Sequence, residues 1–327
     1  MSLAPYVHAM GRGPGRARSL TRAEAEDAMR LILSGEAAPE AVGAIFMLMR
    51  YRGESADEIA GFVTAMRADI TDWSEIGVTL DWPSYAAGRS RGLPLFLLSA
   101  RLLANAGARV LLHGWNSHQN PLADVRSALP GLGIAAADNP EAARTSLDRD
   151  GIAYAPLEAI DPRLLALLRL RDVLGLRSPV NTALRALNPG AAPASVQGVF
   201  HPPYRELQQD TGAVLDEKRL FVLKGGGGEF ERNPSKPILV YGLADGEIYE
   251  QTVEPIYGEA RKLSDGSSQP EDLAKLWNGS LKDSFLEAAV IGTAALALAA
   301  AGIETNIRLA EERATTLWSE RHSAQAA

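Results

Sequence analysis

The feature that most restricts the fold of this chain is a short apolar run that ends in four consecutive glycines. Leu220 to Leu223 is a β-type run, followed by Lys224, the four glycines and the charged stretch Glu229 to Arg232. Glycine loses more backbone entropy on folding than any other residue, so four in a row cannot form a packed helix or strand. They can bring a backbone close to a ligand or line up N–H groups as an anion-binding nest. The sequence therefore predicts a loop directly after a strand, either a ligand-binding loop or a flexible surface hairpin.

The composition is that of a folded globular protein without disulfides. A length of 327 residues is typical of two domains, or of one large domain with an appendage. The absence of cysteine excludes a disulfide framework, a thiol nucleophile and a zinc–thiolate site. It also suits a reducing compartment, so we expect a cytoplasmic protein.

The charge and the apolar runs limit the partners. A net charge of −7 argues against a dedicated nucleic-acid-binding protein, although a local basic groove can exist on an acidic whole.

Residues 1–19 are rich in Gly, Pro and Arg and lack the apolar core of a signal peptide, so we expect a solvated arm. The longest apolar run, Ala288 to Ala301, is shorter than the ~20 residues of a membrane-spanning helix. We expect it to be a buried helix, and we expect no membrane association.

Three helices are predicted after the arm. Thr21 and Ser55 each open a capping box, with Glu24 and Glu58 three residues later, and Pro39 suits the first position of the helix between them. About 55 residues are too few for a large core, so their apolar faces must pack on a neighbouring domain or on a second copy of the chain. The sequence predicts a helical domain over residues 1–75, joined by helices from about 161–190.

Strands and helices alternate over residues 76–327, which predicts an α/β domain with a mostly parallel sheet covered by helices. The predicted strands begin near Val78 and lie at 109–112, 152–155, 195–200, 220–223 and 238–241. The predicted helices lie near 94–107, 121–130, 161–175, 281–301 and 306–318, and a further helix opens at Asp138-Asn139-Pro140. Ligands bind at the carboxyl ends of strands in such sheets, so the loops Ser84 to Gly92, His113 to Gln119 and Lys224 to Glu231 are candidate binding loops.

Two groups of motifs resemble the anthranilate phosphoribosyltransferase / class II nucleoside phosphorylase family, which is glycosyltransferase family 3. Leu20 to Ala25 and Arg52 to Ser55 look like the helical module of that family. Leu174 to Asn181, Leu187 to Pro189 and Gly198 to Pro202 look like its middle signature. The likeness covers nearly the whole chain. It implies a small helical domain, a larger α/β domain with the active site in the cleft between them, and a homodimer formed through the helical domain.

The catalytic motifs of that family are altered in this chain. The Gly-Thr-Gly-Gly-Asp loop that holds pyrophosphate corresponds to Ser84-Tyr85-Ala86-Ala87-Gly88, and Lys-His-Gly-Asn-Arg corresponds to Leu112-His113-Gly114-Trp115-Asn116. The magnesium-binding Asp-Glu pair falls at Phe230-Glu231. Losing several charged hydrogen bonds of ~1.5–3 kcal/mol each would abolish ordinary turnover. The pattern looks like the divergent YbiB-like branch, which keeps the fold and the dimer, lacks anthranilate phosphoribosyltransferase activity and is associated with nucleic-acid binding.

The first functional interpretation is a protein that binds single- or double-stranded nucleic acid through its phosphates. The candidate contacts are Lys224, Gly225, Gly226, Gly227, Arg232, Lys236, Arg89, Arg91, Arg205, Arg261 and Lys262. Tyr85 or Trp115 would offer stacking faces for single strands. Any one of these charges taken alone is more often a solvated surface residue, and the two aromatic side chains are more often packed.

The second interpretation is a glycosyl or phosphoribosyl transferase that acts on a substrate other than anthranilate. His113 and Arg177 are then the candidate catalytic residues, and Glu229 and Glu231 are candidate ligands of Mg²⁺. The structural alternatives are a link between domains for Arg177 and a hydrogen-bonded turn residue for His113. Outside this interpretation we expect no metal or cofactor.

Overall fold

The described part of the chain consists of fifteen α-helices and a single seven-stranded sheet. The computed structural model describes residues 2–13, 15–85, 92–115, 123–265 and 269–322. The helices are α1 Ala4–Gly11, α2 Arg22–Leu33, α3 Pro39–Arg52, α4 Ala56–Ala68, α5 Phe96–Asn105, α6 Val125–Ala128, α7 Pro140–Asp150, α8 Leu157–Ile160, α9 Pro162–Arg169, α10 Arg171–Leu174, α11 Val180–Ala183, α12 Tyr204–Val214, α13 Asp272–Asn278, α14 Ser284–Ala300 and α15 Ile307–Ser319. The strands are β1 Leu80–Ser84, β2 Val110–Gly114, β3 Ile152–Pro156, β4 Ala194–Val199, β5 Arg219–Lys224, β6 Ile238–Ala244 and β7 Glu247–Val253.

The sheet is mostly parallel, as predicted. Its strand order is β3-β2-β1-β4-β5-β6-β7, and only β6 and β7 run antiparallel to their neighbours. The direction of winding changes between β1 and β4, which are adjacent but far apart in sequence. Open α/β sheets bind ligands in the crevice at such a switch point. The carboxyl ends of β1 and β4 are therefore where a site is expected.

The predicted helix starts are confirmed. The Thr21 side chain accepts a hydrogen bond from the Glu24 N–H and the Ser55 side chain accepts one from the Glu58 N–H, so both capping boxes form. Pro39 occupies the first turn of α3. Helices α2 and α4 pack so closely at Gly61 that an added Cβ would lie 2.3 Å from the Arg22 carbonyl oxygen.

The expectation of a solvated N-terminal arm is wrong. Residues 4–11 form α1, which packs on α3, and Leu3 and Met10 are each only 2% exposed. The seven-residue spacing of Leu3 and Met10 places both on one face of a helix. The apolar positions, rather than the Gly and Pro content, decide the structure of this segment.

Two apolar cores lie on opposite faces of the sheet. One packs the sheet against α5 and the C-terminal helices α13, α14 and α15, and α14 is the buried helix that the sequence predicted. The other joins the N-terminal helices to the opposite face through Leu111 and Ala153, and it continues into residues 164–192. Arg67 of α4 donates to the Leu187 carbonyl oxygen at 2.8 Å, which ties that later segment to the N-terminal helices. Among the residues described, no helix combines the length and the apolarity that a membrane span requires.

Several elements depart from the prediction. The leucine-rich stretch near 161–175 is divided into α9 and α10, and the predicted helix near 121–130 is reduced to α6 and a following 3₁₀ turn. The sequence did not indicate α12, α13 or β7. Strand β7 forms an edge of the sheet and only Val253 in it is buried, so it lacks the apolar alternation of an interior strand.

Candidate functional site

A buried arginine bridges the crevice between β1 and β4. Arg185 donates from Nη2 to the Tyr85 carbonyl oxygen and from Nε to the Gly198 carbonyl oxygen, each at 3.0 Å. Its Nη1 donates to the backbone and side-chain oxygens of Asn181 at 2.7 and 2.8 Å. Burial lowers the pKa of Arg185 to about 10. The carboxyl ends of both strands are therefore fastened to one internal guanidinium, which sequence reasoning did not identify.

Tyr85 closes the space after β1. Its side chain is 2% exposed, and its hydroxyl lies 2.9 Å from Nδ1 of His113. The other nitrogen of His113, Nε2, lies 3.1 Å from Oδ1 of Asp81, and Ser195 Oγ donates to Asp81 Oδ2 at 2.9 Å. The imidazole of His113 therefore lies between the Tyr85 hydroxyl, to which Nδ1 is hydrogen-bonded, and the carboxylate of Asp81, which Nε2 approaches.

The interpretations of Tyr85 and His113 change because of this network. Tyr85 is not an exposed stacking face, since its ring is packed inside the protein. His113 is fully buried within β2, and its ring nitrogens face Tyr85 and Asp81. Trp115, the other predicted stacking face, is half-buried and packs against the core that the N-terminal helices share with the sheet.

The four glycines form a compact turn after β5. The N–H of Gly225 donates to the Val199 carbonyl oxygen and the N–H of Gly226 to the Glu231 carbonyl oxygen, both at 3.2 Å. The N–H of Gly228 donates back to Gly225, also at 3.2 Å. A Cβ at Gly225 would lie 1.6 Å from the Glu229 carbonyl oxygen, so only glycine fits there. The prediction of an anion-binding nest is wrong for Gly225 and Gly226, because their N–H groups donate hydrogen bonds within the protein. Gly227 lies in the same turn with φ +65°.

The two candidate magnesium ligands are also engaged inside the protein. Glu229 is 1% exposed and accepts from Ser84 Oγ at 3.0 Å, and Glu231 is fully buried and accepts from the Phe96 N–H at 3.1 Å. Over the described ranges, no group of three or more His, Cys, Asp or Glu residues is arranged to hold a metal ion. The described residues therefore do not fit a magnesium site.

The predicted cationic contacts divide into exposed and engaged groups. Lys224, Lys236 and Lys262 are exposed. Arg205 is half-buried, with its guanidinium 4.8 Å from the centre of the Tyr241 ring. Arg89 and Arg91 lie outside the described residues, as do Ala86, Ala87, Gly88 and Asn116.

Two of the predicted contacts are held by carboxylates. Arg232 is fully buried, donates from Nη1 to Glu311 Oε1 at 2.7 Å and from Nη2 to the Glu254 carbonyl oxygen, so it is not a surface contact for nucleic acid. Arg261 forms an ion pair with Asp283 at 2.9 Å. The charges of Arg232 and Arg261 are therefore engaged by partners within the fold.

A cavity lies between the N-terminal helices and the carboxyl end of β4. It has an inner part of about 40 Å³ and an outer part of about 370 Å³, and both parts are lined by Arg50, Arg177, Phe200 and His201. We call the two parts together the helix–sheet cavity. The inner part is also lined by Glu54, Arg185, Tyr204 and Gln208, and the outer part by Arg171 and Leu176. Arg177 is the one predicted catalytic candidate that lines it.

The helix–sheet cavity is electropositive. Burial and the nearby charges of Arg171 and Arg50 lower the pKa of Arg177. Burial raises the pKa of Glu54, which accepts a hydrogen bond from the Tyr204 hydroxyl at 3.0 Å, while Arg50 donates to that same hydroxyl. Burial also raises the pKa of Tyr204, to about 12. The guanidinium groups of Arg50, Arg171 and Arg177 outnumber the carboxylates of Glu54 and Asp172 in the lining, which favours the binding of an anion.

Comparison with known proteins identifies the fold. Residues 5–69 match the family described as "Glycosyl transferase family, helical bundle domain". The structure is similar to the anthranilate phosphoribosyltransferase of Thermus thermophilus, with a TM-score of 0.77, 22% sequence identity and coverage of 99% of both chains. It is also similar to the Saccharomyces cerevisiae enzyme in complex with PRPP and Mg, with a TM-score of 0.78, 17% identity and coverage of 99% of this chain and 94% of that one. These structures confirm the predicted fold class.

Sequence similarity extends over most of the chain. The anthranilate phosphoribosyltransferase of Geobacillus stearothermophilus is 30% identical over 241 residues, which are 72% of this chain and 70% of that protein. The one of Solibacter usitatus is 28% identical over 312 residues, which are 92% of this chain and 90% of that protein. The middle signature and the helical module seen in the sequence are thus part of a continuous relationship, and the chain belongs to the anthranilate phosphoribosyltransferase family.

Proposed function

We propose that this chain is a catalytically divergent member of the family, of the YbiB-like branch, and that it acts as a homodimer that binds nucleic acid through the phosphates. The observation that carries the proposal is that protein groups fill the crevice at the switch point of the sheet. Arg185 bridges the ends of β1 and β4, and Tyr85 is buried directly after β1. A phosphorylated substrate would have to displace these groups to bind at the carboxyl ends of the strands.

The hydrogen-bond donors and acceptors of the crevice favour the same conclusion. The N–H groups of Gly225, Gly226 and Gly228 donate to backbone carbonyl oxygens, and Glu229 and Glu231 accept from Ser84 and Phe96. Pyrophosphate and its magnesium ion are bound chiefly by positioned donors and charge neutralisation. These donors and acceptors already form hydrogen bonds within the protein, which disfavours the binding of pyrophosphate and magnesium. We therefore propose that family-type transfer of phosphoribose is lost.

Several cations lie around the helix–sheet cavity. Arg50, Arg171 and Arg177 line it, and the exposed Lys224 is paired in the sheet with Val199, which lines the inner part. Phe200 is 41% exposed and presents an aromatic ring beside these charges. Cations that track the backbone together with an aromatic stacking face are the usual elements of single-strand binding. The net charge of −7 does not oppose a local site of this kind.

The first prediction concerns the salt dependence of binding. We expect a labelled single-stranded oligonucleotide to bind the protein with a steep dependence of affinity on salt, measured by fluorescence anisotropy. The double variant Arg171→Glu, Arg177→Glu should bind more weakly, and the slope of log affinity against log salt should become shallower by about 1.4, since each lost phosphate contact on a single strand removes about 0.7. The matched control is Arg308→Glu, an exposed arginine on α15, which packs on the opposite face of the sheet.

Three outcomes would contradict the proposal or a part of it. If the wild-type protein does not bind the oligonucleotide at low salt, nucleic-acid binding is wrong. If calorimetry detects magnesium-dependent binding of phosphoribosyl pyrophosphate, the divergence is wrong, and a transferase acting on another acceptor becomes the better description. A salt slope that changes equally in Arg308→Glu would mean that net charge, and not the cavity, governs binding.

An exposed apolar surface supports the proposed homodimer. The side chains of Tyr51, Val173 and Leu176 are 91%, 82% and 56% exposed, although the residues are large and hydrophobic. They lie on neighbouring segments, because Leu174 of α10 reaches to 3.7 Å from a Cβ placed at Gly43 of α3. Exposed apolar residues on neighbouring segments are typical of protein interfaces, and a second copy of the chain is the simplest partner.

The second prediction tests this dimer. We expect Tyr51→Asp combined with Val173→Asp to convert a dimer into a monomer, because buried carboxylates in an apolar contact cannot be hydrated. Light scattering coupled to size-exclusion chromatography measures the mass. The control is Ile248→Asp, which changes a 50% exposed apolar residue on the edge strand β7 and should leave the mass unchanged. A wild-type protein that elutes as a monomer at micromolar concentration would refute the dimer.

A further inference from the structure

We propose that the helix–sheet cavity reads one nucleobase of a bound single strand, with Gln208 as the residue that accepts a hydrogen bond from the base and Phe200 as the face on which the base stacks. This inference rests on the proposed function and goes further, because it assigns base contact to a site otherwise proposed to bind phosphates. It is carried by the hydrogen bonding of Gln208, the exposure of Phe200 and the cations that line the same cavity.

The amide of Gln208 has one oriented end and one open end. Its Nε2 donates to the Thr182 carbonyl oxygen at 2.9 Å. This bond fixes the orientation of the amide, since the opposite orientation would place two oxygens against each other. The Oε1 atom is buried and has no hydrogen-bond partner among the described residues, and Gln208 itself is only 1% exposed. An unpaired buried acceptor is costly, so a ligand donor that reaches it gains more than one that binds at the surface.

Gln208 lines the inner part of the cavity, and the surrounding groups fit a nucleotide. Every nucleobase carries an N–H or NH₂ donor on its pairing edge, so a single acceptor at the end of a cavity suits any base that enters edge first. Phe200 lines both parts and is 41% exposed, so part of its side chain is accessible for stacking. Arg177 and Arg171 lie where the phosphate of the same nucleotide would follow.

The dimensions of the cavity are consistent with one ring. The outer part, of about 370 Å³, lies within the range of small-molecule sites, whereas the inner part, of about 40 Å³, admits only an edge. A base would therefore occupy the outer part and direct its donor edge inward. A free backbone phosphate does not need this depth, because phosphates are bound at the surface by side chains that reach out to them.

The experiment compares three labelled oligonucleotides of equal length: oligothymidylate, the same strand with N3-methylthymidine, and an abasic strand. N3-methylation removes the one hydrogen-bond donor of thymine and leaves the phosphates unchanged. We expect the wild-type protein to bind the methylated strand about fivefold more weakly, as for the loss of one neutral hydrogen bond. Gln208→Met, which keeps the length of the side chain, should bind the two strands equally.

Phe200→Ala gives a second, independent readout. Phe200 is partly exposed, so the variant should fold normally, and we expect it to bind oligothymidylate at least fivefold more weakly, with unchanged affinity for the abasic strand and an unchanged salt slope. If the wild-type protein binds all three strands equally, base reading is wrong and phosphate binding stands. If it binds none of them, this inference and the proposed function fall together. A loss of abasic binding in either variant would also overturn the assignment, because these residues would then act through the fold.

Discussion

Arg232→Met is expected to lower the free energy of unfolding by about 3–5 kcal/mol, the usual cost of removing one partner of a buried ion pair. The Arg232 side chain is fully buried and binds both Glu311 and the Glu254 carbonyl oxygen. Methionine of similar length leaves the carboxylate and the carbonyl oxygen without that donor. Urea unfolding followed by tryptophan fluorescence measures the loss.

The control is the neighbouring cation on the same segment. Lys224 is exposed at the end of β5, so Lys224→Met should change the free energy of unfolding by no more than about 0.5 kcal/mol. The double variant Arg232→Met, Glu311→Gln should recover part of the stability, because the unpaired carboxylate is gone. An Arg232→Met variant that is as stable as the wild-type protein but binds oligonucleotide poorly would show that Arg232 is a nucleic-acid contact after all.

Lys224 and Arg232 also show that the sequence does not predict whether a basic residue is exposed or buried. Both are basic residues beside the glycines, and local pattern cannot separate them. Arg232 is buried because Glu254 and Glu311, which lie 22 and 79 residues further along the chain, meet it in the fold. Burial of a charge depends on such distant partners. The sequence therefore predicts that a cation is present, but not whether it faces solvent.

The elements found from sequence are those with local signals. Both capping boxes and the strands β2 to β6 were predicted, because a cap is completed within three residues and a largely buried strand is an apolar run. Helix α12 was missed for the opposite reason. Its buried face carries Gln208, Gln209 and Thr211, so it lacks the apolar periodicity by which helices are recognised. The polar face that prevented recognition of this helix from the sequence contains Gln208, the residue that we assign to base reading.

The closure of the crevice was only partly predictable. The replacement of the glycine-rich motif by a stretch containing Tyr85 indicated a blocked pyrophosphate loop. No pattern indicated that Arg185 would bridge Tyr85 and Gly198, since it forms hydrogen bonds to main-chain oxygens 100 and 13 residues away. Main-chain partners leave no signature in a single sequence, whereas substituted motifs do.

Tyr85→Ala is expected to cost about 3–5 kcal/mol of stability, as for other large aromatic side chains deleted from a core. The ring is 2% exposed and packs at 5.4 Å from the His113 ring, and its hydroxyl is bonded to His113 Nδ1. Tyr85→Phe separates these contributions, because it keeps the ring and removes only the hydroxyl. It should cost about 1–3 kcal/mol, the usual result of leaving one buried hydrogen-bonding group unpaired. Thermal and urea unfolding of the two variants provide the comparison.

The same variant tests the proposed loss of the catalytic site. Opening the space after β1 should not create magnesium-dependent binding of phosphoribosyl pyrophosphate, because the N–H groups of Gly225 and Gly226 and the carboxylates of Glu229 and Glu231 remain engaged elsewhere. Calorimetric titration of Tyr85→Ala tests this directly. Binding in the variant but not in the wild-type protein would mean that one side chain blocks an otherwise complete site, and it would contradict a divergence built from several changes. We expect that neither the wild-type protein nor the folded variant binds phosphoribosyl pyrophosphate, because the donors and acceptors of the crevice form hydrogen bonds within the protein.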